Sequence, residues 1–498
     1  MFSSIPLFRY YSIPSRARFS ALLALLLGVY IASGCSSGMS MNPPPVNATS
    51  NVVVAMTSTA NDRLVQFHIT IASIDLVDKA GNTVTLYTNS NPQGFSSGNV
   101  EFMHLNGVVE PVVTAKVPQG VYTQAIVKVT SCSFTNVTVN SNGGVVESTY
   151  AEGLCGQGTG QTTVNLPAPI AISGSTMALS LDLRVGQSFT LDASAFPQPK
   201  YTISPVFMLT SLALSPQPTD ERNGKFNGVD AQIASIDTAT NSFVALTPAG
   251  FSLTVKSDTN TAFQGVASFS TLAAGTVVNI DLALQPDASF LATRVEVGDL
   301  SAPMTSIGPY INPLRVGLLT LPIEQEGCVP GPTGSPLCGS VFNYDSNTVF
   351  GFSGQFNNVQ SLPFPATFTG PGLLIGQNIS IHSTGQSTQG SELVTTATLS
   401  PQVVNGTVTA ASSNNNFTVY SVALAPYSLI PTLQNIVGPV NRLNPPTNQI
   451  EVFVDSSTRV LTTSPVSMGS LLRFRGLVFD DNGTLRMDCN QINDGVPE

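Results

Sequence analysis

Tryptophan is absent from this chain of 498 residues, and charged residues make up only 10% of it. Soluble proteins usually contain about 25% charged residues, so Ser, Thr, Asn and Gln must solvate much of the surface here. A chain with 42% apolar residues is not a disordered one, because disorder goes with few apolar residues and high charge. The composition favours a folded β protein of the secreted type, with roughly three or four domains.

Basic residues and histidine are scarce as well. The chain has 19 Lys and Arg against 29 Asp and Glu, and three histidines. An acidic surface repels phosphate backbones, so we expect no nucleic-acid partner. His68, His104 and His382 are far apart in the sequence and have no clustered partners, which argues against a catalytic triad or a His-based metal site. We therefore predict no catalytic residues, no metal and no cofactor.

The first 34 residues have the layout of a secretory signal peptide. Arg9, Arg16 and Arg18 precede an apolar stretch that begins at Phe19 and ends in small side chains. The apolar stretch is shorter than the ~20 residues that a transmembrane helix needs, and its flanks fit a cleaved export signal. Removal of this segment changes the formal net charge from −10 to −13, because it contains three arginines and no acid.

Residues Ala32-Ser33-Gly34-Cys35 resemble the lipobox of bacterial lipoproteins. The resemblance implies cleavage between Gly34 and Cys35, a lipid on the Cys35 thiol, and a membrane partner held through two or three acyl chains. Ala32 departs from the usual Leu of the motif, and an ordinary signal peptide cleaved nearby is the alternative. Ser36 resembles the class sorted to the outer membrane, so the expected location is the bacterial cell envelope, with the outer membrane favoured in a Gram-negative organism.

Five cysteines follow Cys35. Cys132 and Cys155 flank a glycine-containing turn, Cys328 and Cys338 bracket a Pro/Gly-rich loop, and both pairs are candidate disulfides in an oxidising compartment. Cys489 is left over, as a buried thiol or an intermolecular partner. Zinc is not expected, because neither pair has C-x₂-C spacing and no histidine is near any of these cysteines.

Apolar and polar residues alternate along most of the chain after the cleavage site. Phe67, Ile69 and Ile71, for example, alternate with Gln66 and His68, which is the period of a half-buried strand. No amphipathic helix is evident after Cys35. We predict an all-β protein with an N-terminal Ig-like β-sandwich and about three small β-barrel repeats, after a signal peptide and a flexible tether.

The predicted organisation has eight parts. These are a lipoprotein signal peptide (1–34), a lipidated cysteine with a disordered tether (35–49), a β-sandwich (50–214), a linker (215–224), a first β-barrel repeat (225–299), a second repeat with an irregular start (300–400), a third repeat (401–490) and a tail (491–498). In 50–214, the order HITIASIDLVDKAGN, VEFMHLNG, VPQGVYTQAIVKV, MALSLDLRVGQSF, YTISPVF resembles an uncharacterised family of bacterial lipoprotein domains. That resemblance implies a β-sandwich of unknown function.

Short motifs recur after the linker and indicate an internal repeat. They are a glycine after Asn that opens a strand (Asn227-Gly228, Asn405-Gly406), a glycine before an apolar strand, and the D-x-x-T turns Asp258–Thr261, Asp345–Thr348 and Asp455–Thr458. The copies resemble a second uncharacterised family of bacterial repeat domains, which implies small OB-like barrels and no catalytic residues. We interpret each motif Asp as a turn residue whose carboxylate accepts nearby backbone N–H groups.

Arg473 and Arg475 alternate with the apolar residues Leu472 and Phe474, and we interpret both arginines as exposed charges that protect a strand edge.

Three functions remain open from the sequence. The first is a non-catalytic envelope lipoprotein with a structural or interaction role, whose partners are other envelope proteins or glycans. The second is a surface lipoprotein that binds glycans, which the lack of Trp disfavours although 11 Tyr remain. The third is an envelope hydrolase, which requires carboxylates, or a serine with a base, to converge in a pocket.

Overall fold

The computed structural model describes residues 48–60, 64–89, 98–139, 145–152, 155, 160–192, 200–212, 225–297, 301–303, 306–308, 317–320, 341–374, 376–388, 391–426, 428, 430–431 and 447–496. The predicted signal peptide, the lipidation site at Cys35, the linker and the pair Cys328 and Cys338 lie outside these residues. The prediction of an all-β fold is confirmed. Apart from strands, the named elements are short 3₁₀ turns at Val185–Gln187, Phe269–Thr271, Val359–Ser361 and Gly370–Gly372. In the part of the chain just defined, no helix has the length and apolar character needed to cross a membrane.

The first sheet is built from residues 49–212. Its strands are β1 (Thr49–Thr59), β2 (Leu64–Asp78), β3 (Thr83–Thr88), β4 (Asn99–Glu101), β5 (Glu110–Pro118), β6 (Gly120–Val139), β7 (Val145–Glu152), β8 (Gln161–Asn165), β9 (Ile170–Ile172), β10 (Thr176–Arg184) and β13 (Phe207–Leu212), and β11 (Phe189–Asp192) forms a separate hairpin with β12 (Lys200–Ile203). The main path runs β3-β2-β6-β8-β13-β10-β1-β5, and its two end strands are in contact. The sheet therefore folds back on itself around its own core.

The first barrel follows in residues 225–297. It contains β14 (Lys225–Asp237), β15 (Ser242–Leu246), β16 (Ser252–Lys256), β17 (Ala262–Gln264), β18 (Val277–Leu284) and β19 (Phe290–Val297). The pairing order β16-β15-β14-β18-β19 is closed by a parallel pairing of β16 with β19.

The middle sheet contains β20 (Ser301–Pro303), β21 (Ser306–Gly308), β22 (Gly317–Thr320), β23 (Val341–Tyr344), β24 (Val349–Phe352), β25 (Asn378–Thr388) and β26 (Ser391–Leu399). The last barrel is a closed ring of β27 (Gln402–Asn414), β28 (Phe417–Leu424), β29 (Gln449–Val460), β31 (Thr484–Asp494) and β30 (Leu471–Asp481), in that pairing order. Strands β29 and β31 pair in parallel, as β16 and β19 do in the first barrel. The two barrels thus have the same strand order.

Strand β1 explains how the first sheet and the first barrel pack together. Val52, Val54 and Met56 point into the core of the first sheet, while Val53 and Ala55 join the core of the first barrel. Both faces of β1 are buried, so the strand reads as a continuous apolar run instead of an alternating one. The first barrel therefore docks on the back of β1.

Three sequence predictions need correction here. The tail predicted from residue 491 is wrong at its start, because β31 continues to Asp494 and Ile492 is buried in the last barrel. The polar phase of β2 does not face solvent at Gln66, which is buried and accepts a hydrogen bond from the Thr135 hydroxyl. Gly228 does not open its strand, because β14 begins at Lys225 and Gly228 lies at a bulge with φ +76°.

The cysteines of the described residues follow the sequence expectation. Cys132 and Cys155 form a disulfide, and Cys489 is a free, buried thiol. Thr49–Glu498 forms one compact unit, so contacts among its sheets belong to a single body.

Candidate functional site

A loop of the first sheet, residues 101–110 between β4 and β5, lies where the sheets meet, and we call it the junction loop. The buried carboxylate of Glu101 fixes its shape. Glu101 Oε1 accepts from the backbone N–H of Phe67 at 2.8 Å and of Met103 at 3.0 Å, and Oε2 accepts from the N–H of His104 at 2.5 Å. A carboxylate with several N–H donors is a strong cap, so the loop holds His104 in one position.

The end of β1 binds the other side of the junction loop. The Thr57 hydroxyl donates to the carbonyl of Val108 at 2.7 Å, and the backbone N–H of Ser58 donates to the carbonyl of Leu105 at 3.2 Å. The loop is therefore part of the first sheet, and it presents its polar side chains outwards to the neighbouring modules.

The first barrel meets the junction loop through buried carboxylates. His104 Nε2 lies 3.4 Å from Asp230 Oδ2, and Asp230 Oδ1 accepts from Asn279 Nδ2 at 2.7 Å. Glu110, at the end of the loop, is buried beside this pair and accepts a hydrogen bond from the Thr247 side chain. Two carboxylates and one imidazole from two modules thus share one buried space.

Arg294 carries the polar contacts across the first barrel. Its guanidinium donates from Nε to Asp281 Oδ2 at 2.8 Å, from Nη1 to Glu296 Oε2 at 2.5 Å and from Nη2 to Asn279 Oδ1 at 2.6 Å. Glu296 Oε2 also accepts from the backbone N–H of Gly354 at 3.1 Å. The network therefore passes from the first barrel to the segment that follows β24 of the middle sheet.

Arg475 of β30 lies where four modules meet. These modules are the first sheet, the first barrel, the middle sheet with its following segment, and the last barrel. Its Nη1 donates to Gln355 Oε1 at 3.0 Å and to Asn490 Oδ1 at 3.4 Å. A Cβ built on Gly228 of the first barrel would lie 3.5 Å from Arg475 Nη2, and one built on Gly107 of the junction loop would lie 3.6 Å from its Cδ. Arg475 thus touches the first sheet, the first barrel and the segment after β24, and it is itself part of the last barrel.

Two more hydrogen bonds join the last barrel to the junction loop. Arg473 Nη1 donates to Asn106 Oδ1 at 2.8 Å, and Gln491 Nε2 donates to the carbonyl of Gly107 at 3.3 Å. We call the whole network, from His104 through Arg294 and Arg475 back to Asn106, the polar junction.

The interpretation of Arg473 and Arg475 as exposed edge charges is wrong. Alternation along β30 places them opposite the buried Leu472 and Phe474, as the sequence indicates, and hence on the outside of the barrel. The junction loop and Gln355 cover that outside surface, so Arg475 retains only 6% of its exposure. A strand pattern tells which side of a barrel a residue is on, but not whether another module covers it.

Burial controls the protonation of the acids in the polar junction. It raises the pKa of Glu110 to about 7, against the opposing effects of His104 and of the hydrogen bond from Thr247, and the charge of Asp230 adds to the rise. Burial also raises the pKa of Asp230, although His104, Asn279, Arg294 and Arg475 all oppose that rise. Carboxyls in such surroundings bind protons more readily than exposed ones.

The three D-x-x-T turns have one common geometry. In Asp258–Thr261, Asp345–Thr348 and Asp455–Thr458, the Asp N–H donates to the Thr hydroxyl oxygen, and the Asp carboxylate accepts from the backbone N–H two residues later. Each Thr hydroxyl then donates, at 2.7 Å, to a backbone carbonyl of a later strand, which belongs to Ala292, Val394 or Cys489. The side chains thus tie each turn to the later strand.

Other sequence candidates stay apart from the polar junction. Burial raises the pKa of the Cys489 thiol to about 12, which makes it a poor nucleophile. His68 is half-buried in β2, and the side chain of His382 lies outside the described residues. Within the described residues, no group of three His, Cys, Asp or Glu is placed to hold a metal ion.

Tyrosine is the aromatic residue on which the glycan-binding hypothesis depends, because the chain contains no Trp. The side chains of the described tyrosines are all buried or half-buried, and none of them is exposed. These residues are Tyr87, Tyr122, Tyr150, Tyr201, Tyr344 and Tyr420. The rings of Tyr150 and Tyr201 pack against each other and against Phe134 within the first sheet, in tilted or edge-to-face arrangements.

Sequence reasoning missed His104, Glu110, Asp230 and Arg294 as a group. One usable signal was present, since charged residues are rare in this chain and Asp230 and Arg294 fall on strands. A charge on a strand in such a chain has a raised chance of being buried and paired. The sequence contained no signal that would bring these four residues together.

Comparison with known protein families gives a match to part of the chain. Residues 231–296 match the model of a family described as a domain of unknown function, DUF5666. The match covers most of the first barrel, including Asn279 and Arg294, and excludes the junction loop and the last barrel. No curated protein matches the chain.

Proposed function

We propose that this chain is a lipid-anchored lipoprotein of the bacterial cell envelope, whose β modules act together as a rigid, non-catalytic unit with a structural or interaction role. The observation that carries the proposal is the polar junction, in which Arg475 contacts residues of all four modules. Modules that are joined only by flexible linkers and move independently would not form such a contact.

Buried polar contacts favour one arrangement of the modules over all others. An apolar interface tolerates sliding, whereas a buried charge that loses its partner costs about 3–5 kcal/mol. Arg294 and Arg475 are both buried and each donates several hydrogen bonds. A shift between the modules would separate Arg475 from Gln355 and Glu296 from the N–H of Gly354, so the unit resists bending.

The envelope location is supported by the amino terminus and by the oxidised cysteines. The lipobox-like sequence ending at Cys35 provides the anchor, and the disulfide Cys132–Cys155 suits an oxidising compartment. Thr and Ser, in place of charges, solvate the strands.

Residues 225–490 are, in this proposal, three copies of one OB-like unit. The first and last barrels share their strand order, and the same hydrogen bonds recur in all three D-x-x-T turns. The family match at 231–296 supports the first of the three copies.

The anchor is tested with Cys35→Ser. The unaltered chain should incorporate labelled fatty acid and be cleaved before Cys35, whereas the variant should lose both the label and the cleavage. Absence of label from the unaltered chain, or label retained by the variant, would contradict the anchor at Cys35.

The rigid unit is tested by calorimetry of the full chain with Arg475→Met. Met keeps much of the side-chain volume but removes the hydrogen bonds to Gln355 and Asn490, so docking of the modules should weaken by about 1.5–3 kcal/mol. The transition should then split or shift to lower temperature. Lys256→Met is the control, because Lys256 is half exposed and pairs only with the exposed Asp287; its effect should stay within ~0.5 kcal/mol. Equal effects of the two variants would refute the role of Arg475.

A further inference from the structure

The acids of the polar junction lie at the contact between two modules, where a change in their charge changes the contact itself. Glu110 and His104 belong to the first sheet, and Asp230 belongs to the first barrel. All are on facing surfaces and not within either core. Their charges therefore enter the free energy of docking more directly than the free energy of either module alone.

The elements packed around Glu110 bring few other charges. His104 and Asp230 face it directly, and Arg294 and Arg475 reach it only through Asp230. The neighbouring β1 and β3 contain no charged residue. Of β16, which also contacts β5, Lys256 is the charged residue, and it pairs with Asp287 at the surface. Strand β14, which also contacts β5, contains Lys225 and Asp237 besides Asp230, and Asp230 is the one of these three that raises the pKa of Glu110.

Acidic solution adds protons to this cluster. The carboxyl of Glu110 then becomes neutral beside Asp230. Alkaline solution does the reverse and leaves two buried carboxylates facing each other across the contact. Two like charges buried side by side are unfavourable.

We propose that Glu110 and Asp230 form a proton-operated latch, which holds the first sheet and the first barrel together in acidic solution and loosens above neutral pH. The latch rests on the proposed function, since it acts on the contact that makes the modules rigid.

The direction of the pH effect on docking follows from the raised pKa of Glu110. Burial raises its pKa from an ordinary 4.5 to about 7, so the docked state binds the proton more tightly than the undocked state. The stabilisation is complete below about pH 4.5 and disappears as the pH rises through about 7. A shift of this size changes the undocking equilibrium up to roughly 300-fold, at tenfold per pKa unit. The raised pKa of Asp230 acts in the same direction.

The latch is tested by measuring the distance between the two modules in the full chain, in detergent. Nitroxide labels at Ala80→Cys and Ala239→Cys suit this purpose, because both alanines lie in exposed turns. The native Cys489 is buried and escapes labelling; a chain without the added cysteines corrects for label at other thiols. Pulsed electron resonance should give one narrow distance at about pH 5 and a broad or longer distribution at about pH 8.5, on either side of the titration.

Two variants decide the origin of the pH response. Glu110→Gln keeps the group neutral, so the narrow distance should persist at both pH values. Asp488→Asn is the matched control, because burial and Asp455 also raise the pKa of Asp488 to about 7 but it lies in the last barrel; the response should remain. If Glu110→Gln does not fold, Asp230→Asn is used, which removes the facing carboxylate and should reduce the response.

The results separate the latch from the rigid unit. The latch is overturned when the unaltered chain gives the same narrow distance at both pH values, or when Glu110→Gln broadens as the unaltered chain does. In the first case the rigid unit stands. A broad distribution at every pH in the unaltered chain would overturn the rigid unit together with the latch.

Discussion

Two glycines of the first barrel allow the energy of the polar junction to be measured against an internal reference. Gly228 and Gly275 both adopt left-handed backbone conformations, with φ of +76° and +88°. Alanine at either position is strained by about 1–2 kcal/mol, because an L-residue is disfavoured in this region. The backbone penalty is therefore common to Gly228→Ala and Gly275→Ala.

The surroundings of the two glycines differ. A Cβ at Gly275 has nothing within 4 Å, whereas a Cβ at Gly228 lies 2.8 Å from Gln355 Nε2 and 3.5 Å from Arg475 Nη2. The new methyl group must push Gln355 away, which weakens its hydrogen bond from the Arg475 guanidinium. A hydrogen bond to a charged group contributes about 1.5–3 kcal/mol.

We thus expect a loss of about 2.5–5 kcal/mol for Gly228→Ala and only about 1–2 kcal/mol for Gly275→Ala, by adding the bond to the backbone penalty. Urea denaturation of the full chain, followed by circular dichroism and by calorimetry, measures both. The excess for Gly228→Ala should disappear when Arg475→Met is already present, because no guanidinium bond is left to lose. Equal losses for the two alanines in the unaltered chain would refute the idea that Gly228 is kept small for Gln355 and Arg475.

Three further outcomes follow from the last barrel. Thr458→Val removes the hydroxyl that bonds the Cys489 carbonyl and the Asp455 N–H, so it should destabilise the chain by about 1–3 kcal/mol in urea denaturation; an unchanged midpoint would contradict the role of the turn. Cys489 has a pKa raised to about 12 by burial, so a maleimide at neutral pH should modify it only in denaturant, and rapid labelling of the native chain would exclude a buried thiol. The pKa of Asp488 is raised to about 7 by burial and by Asp455, so its stabilising effect exists below its ordinary 3.8 and is lost as the pH rises through about 7; Asp488→Asn should flatten stability against pH in that window, and an unchanged slope would argue against it.

The local features of the fold could be predicted from the sequence because they depend on neighbours in the chain. The Cys132–Cys155 bridge closes a short segment, and the glycines before β18 and β30, Gly275 and Gly469, have the positive φ that such positions need. Alternation of apolar residues was enough to predict strands along most of the chain.

The polar junction could not be predicted, because it depends on the docking of whole modules. His104 and Asp230 are far apart in the sequence, and nothing in either local pattern links them. Arg475 illustrates the same limit, since its place on the outside of a barrel follows from alternation, while its burial follows from the junction loop. Buried polar contacts between modules leave no periodic trace.

The bonds from Arg473 to Asn106 and from Gln491 to Gly107 join residues 367 and 384 positions apart, and this separation sets an order of events during synthesis. The amino-terminal module is made first, yet Asn106 and Gly107 lack these two partners until the last two strands, β30 and β31, have been made. Contacts so distant in sequence form late. An apolar patch exposed for that long would favour association with other nascent chains, whereas Asn106 and Gly107 can remain solvated. The polar character of this contact therefore also limits aggregation of the chain until its last strands have been synthesised.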